Sequence, residues 1–148
     1  MAVSSNTGRS YPLGATNRLD GVNFSVFSRN ASVVELLLFD REENSSPARV
    51  VPLDPAGNRT YHYWHVFVRG VQPGQLYAYR VHGPSDPANG LRFDPSKVLL
   101  DPYGRGVVVP KSYSRDAARM VGDNAATAMK SVVVDPYAYD WEGDTVLR

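Results

Sequence analysis

From Gly21 onward the chain alternates apolar and polar residues with a period of two, the mark of strands that bury one face. "VNFSVF" puts Val22, Phe24 and Val26 on one side and Asn23 and Ser25 on the other. "VVELLLFD" follows, rich in branched and aromatic residues, and "ARVVPLD" is a shorter strand that Pro52 assigns to a sheet edge. In "TYHYWHVFVRG", alternation places His62, Trp64, Val66 and Val68 on one face, which makes Trp64 a core residue. Tyr61, Tyr63, His65 and Phe67 fall on the other face. After the turn "QPGQ", the strand "LYAYRVHG" aligns Tyr77, Tyr79 and Val81. Short strands punctuated by Gly, Pro and Asn turns predict an all-β fold, an antiparallel β-sandwich.

The pattern changes after Gly83-Pro84. Asp-Pro recurs with its Asp at 54, 86, 94, 101 and 135. Because an Asp can cap a helix start while the Pro takes the first helical position, "FDPSKVLLDPYG" reads as one short helical turn capped by Asp94. "VVV" at 107–109 and at 132–134 predicts late strands, and "SRDAARMVGDNAATAMK" between them is compatible with helix. The expected organisation is a flexible N-terminus over 1–10, a sandwich core over 11–84, and an irregular Asp/Pro-rich C-terminal extension over 85–148.

Composition narrows the function. With 148 residues and 43% hydrophobic content the chain can build a core without staples. It has no cysteine, which removes disulfide and thiolate chemistry and fits a reducing cytoplasm. No run approaches the roughly 20 apolar residues of a membrane span, and the polar N-terminus lacks the layout of a signal peptide. Sixteen basic and fifteen acidic residues are interspersed for a net charge of +1, with none of the basic patches that nucleic-acid binding needs.

Candidate chemistry is sparse. His62 and His65 stand three apart, which on a strand sends the rings to opposite faces and denies them a common metal ion. There is no nucleophile motif and no phosphate loop. Most carboxylates precede Pro or Gly, where turn formation is a sufficient role. No catalytic, metal-binding or cofactor-binding residue is therefore expected. Amphipathic rings suit sugar stacking, and Tyr61 and Tyr63, opposite the core face, are the candidate carbohydrate-binding residues.

Taken together, "YPLGAT…GVNFSVFS…VELLLFD", "PGQLYAYRVHGP…GLRFDPSKVLLDPYG" and "VVVDPYAYDWEGD" resemble the N-terminal region of bacterial glycogen debranching enzymes and isoamylases of glycoside hydrolase family 13. The resemblance runs from about Tyr11 to Asp144. It departs from the pattern at Leu37, where the family often has Cys, and at Asp94, where Asn is common. It implies a module of carbohydrate-binding module family 48, with an immunoglobulin-like fold. It also implies a parent enzyme that hydrolyses α-1,6 branch linkages with two carboxylates about 5–5.5 Å apart. In the family those carboxylates sit on a downstream barrel of about 250 residues, more than this chain could hold.

The resemblance implies that the run after residue 84 lies against that barrel, with His82, Arg92, Phe93 and Asp94 as interface residues. Leu91, Phe93 or Leu99 would then be exposed, and amide protection weak, in the chain alone. The expected partner is the barrel of the same polypeptide, with α-glucan as a further one and neither nucleic acid nor membrane. The alternatives are an autonomous α-glucan-binding module and an immunoglobulin-like protein-interaction domain unrelated to sugars.

Overall fold

In the computed structural model, which describes residues 4–147, twelve strands follow one another. They are β1 (Ser5–Asn6), β2 (Gly14–Arg18), β3 (Gly21–Phe27), β4 (Val33–Phe39), β5 (Arg49–Leu53), β6 (Arg59–Thr60), β7 (Tyr63–Arg69), β8 (Leu76–His82), β9 (Ser85–Asp86), β10 (Leu91–Arg92), β11 (Val107–Val108) and β12 (Lys130–Val132). One antiparallel sheet runs β1-β7-β3-β2, with β6 also on β7; the second runs β11-β12-β8-β4-β5. β9 and β10 form a separate ribbon. The sheets face each other as the antiparallel β-sandwich expected from the alternation, with the immunoglobulin-like fold that the resemblance implied.

Register explains the core. In the first sheet Val22 lies opposite Val68, Phe24 opposite Val66 and Val26 opposite Trp64, so the inward side chains come as cross-strand neighbours. In the second, Leu38 lies opposite Tyr77, Leu36 opposite Tyr79 and Val34 opposite Val81. The Phe24 and Tyr77 rings meet edge-on across the interface, 4.9 Å between centroids. Trp64 is completely buried and donates from its indole nitrogen to the Ser28 carbonyl at 3.2 Å. β5, with Pro52, is an edge strand.

The outer faces are not left to solvent. Leu37 and Phe39 of β4 point away from the sandwich core. With Leu76 and Ala78 of β8 they form a second core under Val98, Ala125 and Ala128 of the later chain. Two buried lysines hold that cover in place. Lys97 donates to the carbonyls of Ala117 (3.0 Å), Gly122 (2.5 Å) and Met120. Lys130, with no exposed surface, donates to those of Glu42 (2.7 Å), Ala128 (3.1 Å) and Ala125, and its ammonium lies 4.8 Å from the Phe39 ring centroid. The region expected to be helix-compatible therefore wraps its carbonyls around two ammonium groups. Its only helical piece among the described residues is a 3-10 turn, Asp116–Ala118.

The helical turn expected at Asp94 is a β-turn. Asp94 Oδ1 accepts from the amide (3.0 Å) and hydroxyl (2.6 Å) of Ser96, and the Asp94 carbonyl accepts from Lys97 N at 3.1 Å. Leu99 then exchanges both main-chain hydrogen bonds with Tyr79, which uses the groups a helix would need. Asp54, Asp101 and Asp135 repeat this turn, each side chain accepting the amide two residues on at 2.9 Å. The late strands are real, although the second lies at Lys130–Val132 rather than 132–134. Because β12 pairs with β8, the second sheet is completed from beyond residue 84.

At the other end, residues 4–10 differ from the flexible terminus expected. β1 pairs with β7, and the segment after it covers the outer face of the first sheet. Asn23 clasps the main chain of Arg9, donating to its carbonyl at 2.9 Å and accepting from its amide at 2.8 Å. Ser25 donates to the Ser10 carbonyl at 2.7 Å, and His65 Nδ1 lies 2.6 Å from the Thr7 carbonyl. Gly8 permits the close passage. Its φ is +68°, and a Cβ there would come within 2.6 Å of Phe67 N.

Candidate functional site

Two contiguous features at one end of the sandwich could receive another molecule. The first is the hairpin tip between β6 and β7. Thr60 pairs with Tyr63, which leaves Tyr61 and His62 as a two-residue turn. Tyr61 adopts φ +57°, unusual for a bulky side chain. Arg59 secures it, donating from Nε to the Tyr61 carbonyl at 2.8 Å while its guanidinium lies over Trp64. The Tyr61 ring, mostly exposed, stacks on His62 with centroids 3.9 Å apart. Tyr63 is half-buried and turns its ring against Phe27, 5.4 Å away. The two tyrosines therefore do not share one strand face, because the turn interrupts the alternation. Phe27 and His62, which sequence reasoning missed, complete the cluster at 5.9 Å.

Phe27 also lines the second feature, a groove of about 440 Å³ where the inner faces of the sheets open. Its floor is Val26, Val34, Tyr79 and Val81, and its far wall is Leu91, Phe93, Leu99, Leu100 and Pro102. The wall exists because Phe93 can lie directly over Gly83, where a Cβ would come within 2.6 Å of the ring. Arg29 and Arg92 stand exposed at the rim.

The four residues expected at an interface are thus divided. Arg92 and Phe93 line the groove; His82 and Asp94 do not. His82 lies on the outer face of the second sheet, its Nε2 3.2 Å from Glu35 Oε2. Asp94 is occupied by its own turn, and hydrogen bonds from the Ser96 hydroxyl and amide hold its carboxyl below the usual value. Leu99 is exposed, whereas Leu91 and Phe93 are half-buried.

Beside the groove, the buried Asp101 carboxylate fastens the connector to the sandwich. Oδ2 accepts from the Tyr77 hydroxyl at 2.7 Å and Oδ1 from Tyr103 N at 2.9 Å. Burial pushes the Asp101 carboxyl up from its ordinary value. Burial and then the neighbouring carboxylate push the Tyr77 hydroxyl far up as well. Inaccessible and held by its neighbours, Asp101 is a structural group. Among the described residues no cluster of three His, Asp or Glu could hold a metal ion, and no helix is long and apolar enough to cross a membrane.

The sequence profile described as Carbohydrate-binding module 48 (Isoamylase N-terminal domain) matches residues 12–104. The chain belongs to carbohydrate-binding module family 48. This family 48 module is 44% identical over 145 residues to the glycogen debranching enzyme of Serratia proteamaculans, covering 93% of this chain and 20% of that protein. It is 40% identical over 149 residues to the glycogen operon protein GlgX homolog of Mycobacterium bovis, covering 93% and 20%. The module therefore spans about a fifth of the length of these curated relatives. Among solved structures, its fold matches the product complex of the multi-modular glycogen-degrading pneumococcal virulence factor SpuA. The TM-score is 0.64 at 19% identity, over 95% of this chain and 14% of that one. It also matches the Paenibacillus barengoltzii pullulanase in complex with maltohexaose and alpha-cyclodextrin, with a TM-score of 0.63 at 20% identity, over 93% and 17%.

Proposed function

We propose that this chain is the non-catalytic N-terminal module of a longer cytoplasmic debranching hydrolase, and that it packs on and orients the catalytic barrel. The observation that carries this reading is the open apolar groove, walled by Phe93 and rimmed by Arg92, in a family 48 module that spans a fifth of relatives named glycogen debranching enzyme. In this reading residues 11–84 supply most of the sandwich, β1, β11 and β12 complete its sheets, and the rest of 85–148 is the connector. Arg92 and Phe93 meet the barrel directly, while His82 and Asp94 act from the adjoining face and turn. The exposed Tyr137, Tyr139 and Trp141 then continue the contact. The test is hydrolysis of limit dextrin. The 148-residue chain should release no reducing sugar, and a protein carrying this module with the reading frame that follows it should release linear chains. Deleting the module from that protein should lower its activity; unchanged activity overturns the orienting role.

A second reading, α-glucan binding by the module itself, is favoured by the exposed Tyr61 ring on a turn with positive φ. Titration of the 148-residue chain with maltoheptaose, followed by amide shifts, separates the two. Shifts confined to 59–64 support glucan binding, with Tyr61 stacking and Tyr63 at its edge. Their absence at millimolar sugar removes that role.

A further inference from the structure

We infer that the groove is built to receive an apolar side chain flanked by carboxylates, presented by a protein segment. Resting on the accessory-module reading, we assign that segment to the remainder of the same longer polypeptide. Two observations converge. The floor is aliphatic, with Val26 and Val81 at the opening and the buried Val34 beneath them, so it gives a sugar few polar partners and suits a buried hydrocarbon group. Arg29 and Arg92 stand on the rim, and neither has a carboxylate within ion-pair distance among the described residues. No Asp or Glu lines the groove. Two unpaired guanidiniums over an apolar slot complement an acidic flank and repel a basic one.

Nucleic acid is a poor occupant, since two arginines on a chain of net charge +1 do not make a polyanion site.

The test uses two synthetic probes, acetyl-Glu-Phe-Leu-Glu-amide and acetyl-Lys-Phe-Leu-Lys-amide, titrated into the 15N-labelled 148-residue chain. The acidic peptide should saturate shifts at Arg29, Leu91–Phe93 and Leu99, with the basic one at least fivefold weaker. The double variant Arg29→Glu with Arg92→Glu, both at exposed positions, should reverse that order. Equal affinity for both peptides, an unreversed order in the double variant, shifts elsewhere, or no binding each overturn the inference. None of these outcomes touches the accessory role, which fails only if loss of the module leaves debranching activity unchanged.

Discussion

Replacing Lys130 with Met tests whether the ammonium cage anchors the cover over the second sheet. Methionine keeps the length and fills the space but donates no hydrogen bond. Three carbonyls lose their donor; that of Glu42, on a half-buried residue, can be rewetted, while those of the buried Ala125 and Ala128 cannot. Two orphaned buried acceptors cost about 1–3 kcal/mol each. Part of that is offset because the ammonium was itself costly to bury, which is why burial pushes the Lys130 pKa down. We expect a net loss of about 2–4 kcal/mol. At about 2–4 °C per kcal/mol for a chain near this length, Tm should fall by roughly 5–15 °C. The assay is calorimetry with hydrogen exchange, against Lys111→Met at an exposed position as control. Protection should fall first at Val98, whose amide is bonded to buried Asn124, and last in β3 and β7. A K130M chain as stable as the native one, or one that loosens β3 together with Val98, refutes the anchoring argument.

Other substitutions probe separate joints. Asn23→Ala removes both clasps on Arg9 and should cost about 1–2 kcal/mol; faster tryptic cleavage after Arg9 is the readout, and an unchanged rate counts against the clasp. Gly83→Ala drives a methyl into the Phe93 ring and should cost about 1–3 kcal/mol in urea unfolding, with the largest amide shifts along the groove wall. Because burial raises the Asp101 pKa, its stabilisation is fully present below its unfolded value of 3.8 and is lost as pH rises through the folded pKa. The native chain should therefore lose stability relative to Asp101→Asn as pH climbs from 3.8 through that value. Parallel urea midpoints between pH 3 and 7 would contradict it.

The strands and the main core were legible because period-2 alternation and cross-strand register express one geometric fact, as Val22, Phe24 and Val26 opposite Val68, Val66 and Trp64 illustrate. The covered outer faces were not. Asn23, Ser25 and His65 look like a solvent face in sequence, since nothing local says that the chain's own main chain will be their partner. Lys97 and Lys130 look like surface charges for the same reason, their carbonyl partners being up to 88 positions away. The Tyr61-His62 turn lacked Gly or Asn as a signal, so the alternation was carried two residues too far. Among the candidate interface residues, Arg92 and Phe93 are neighbours in chain and in space. His82 follows the strand pleat to the opposite side, which proximity in sequence could not reveal.

The second core also decides where this sandwich can be cut. Severed at Pro84, the chain would lose β12 from the edge of β8 and uncover Leu37, Phe39, Leu76 and Ala78 at once, an oily sheet with an open border that invites its own copies. The smallest piece able to stand alone in water therefore runs through Val133, and any graft of this domain onto another protein has to carry the connector with it.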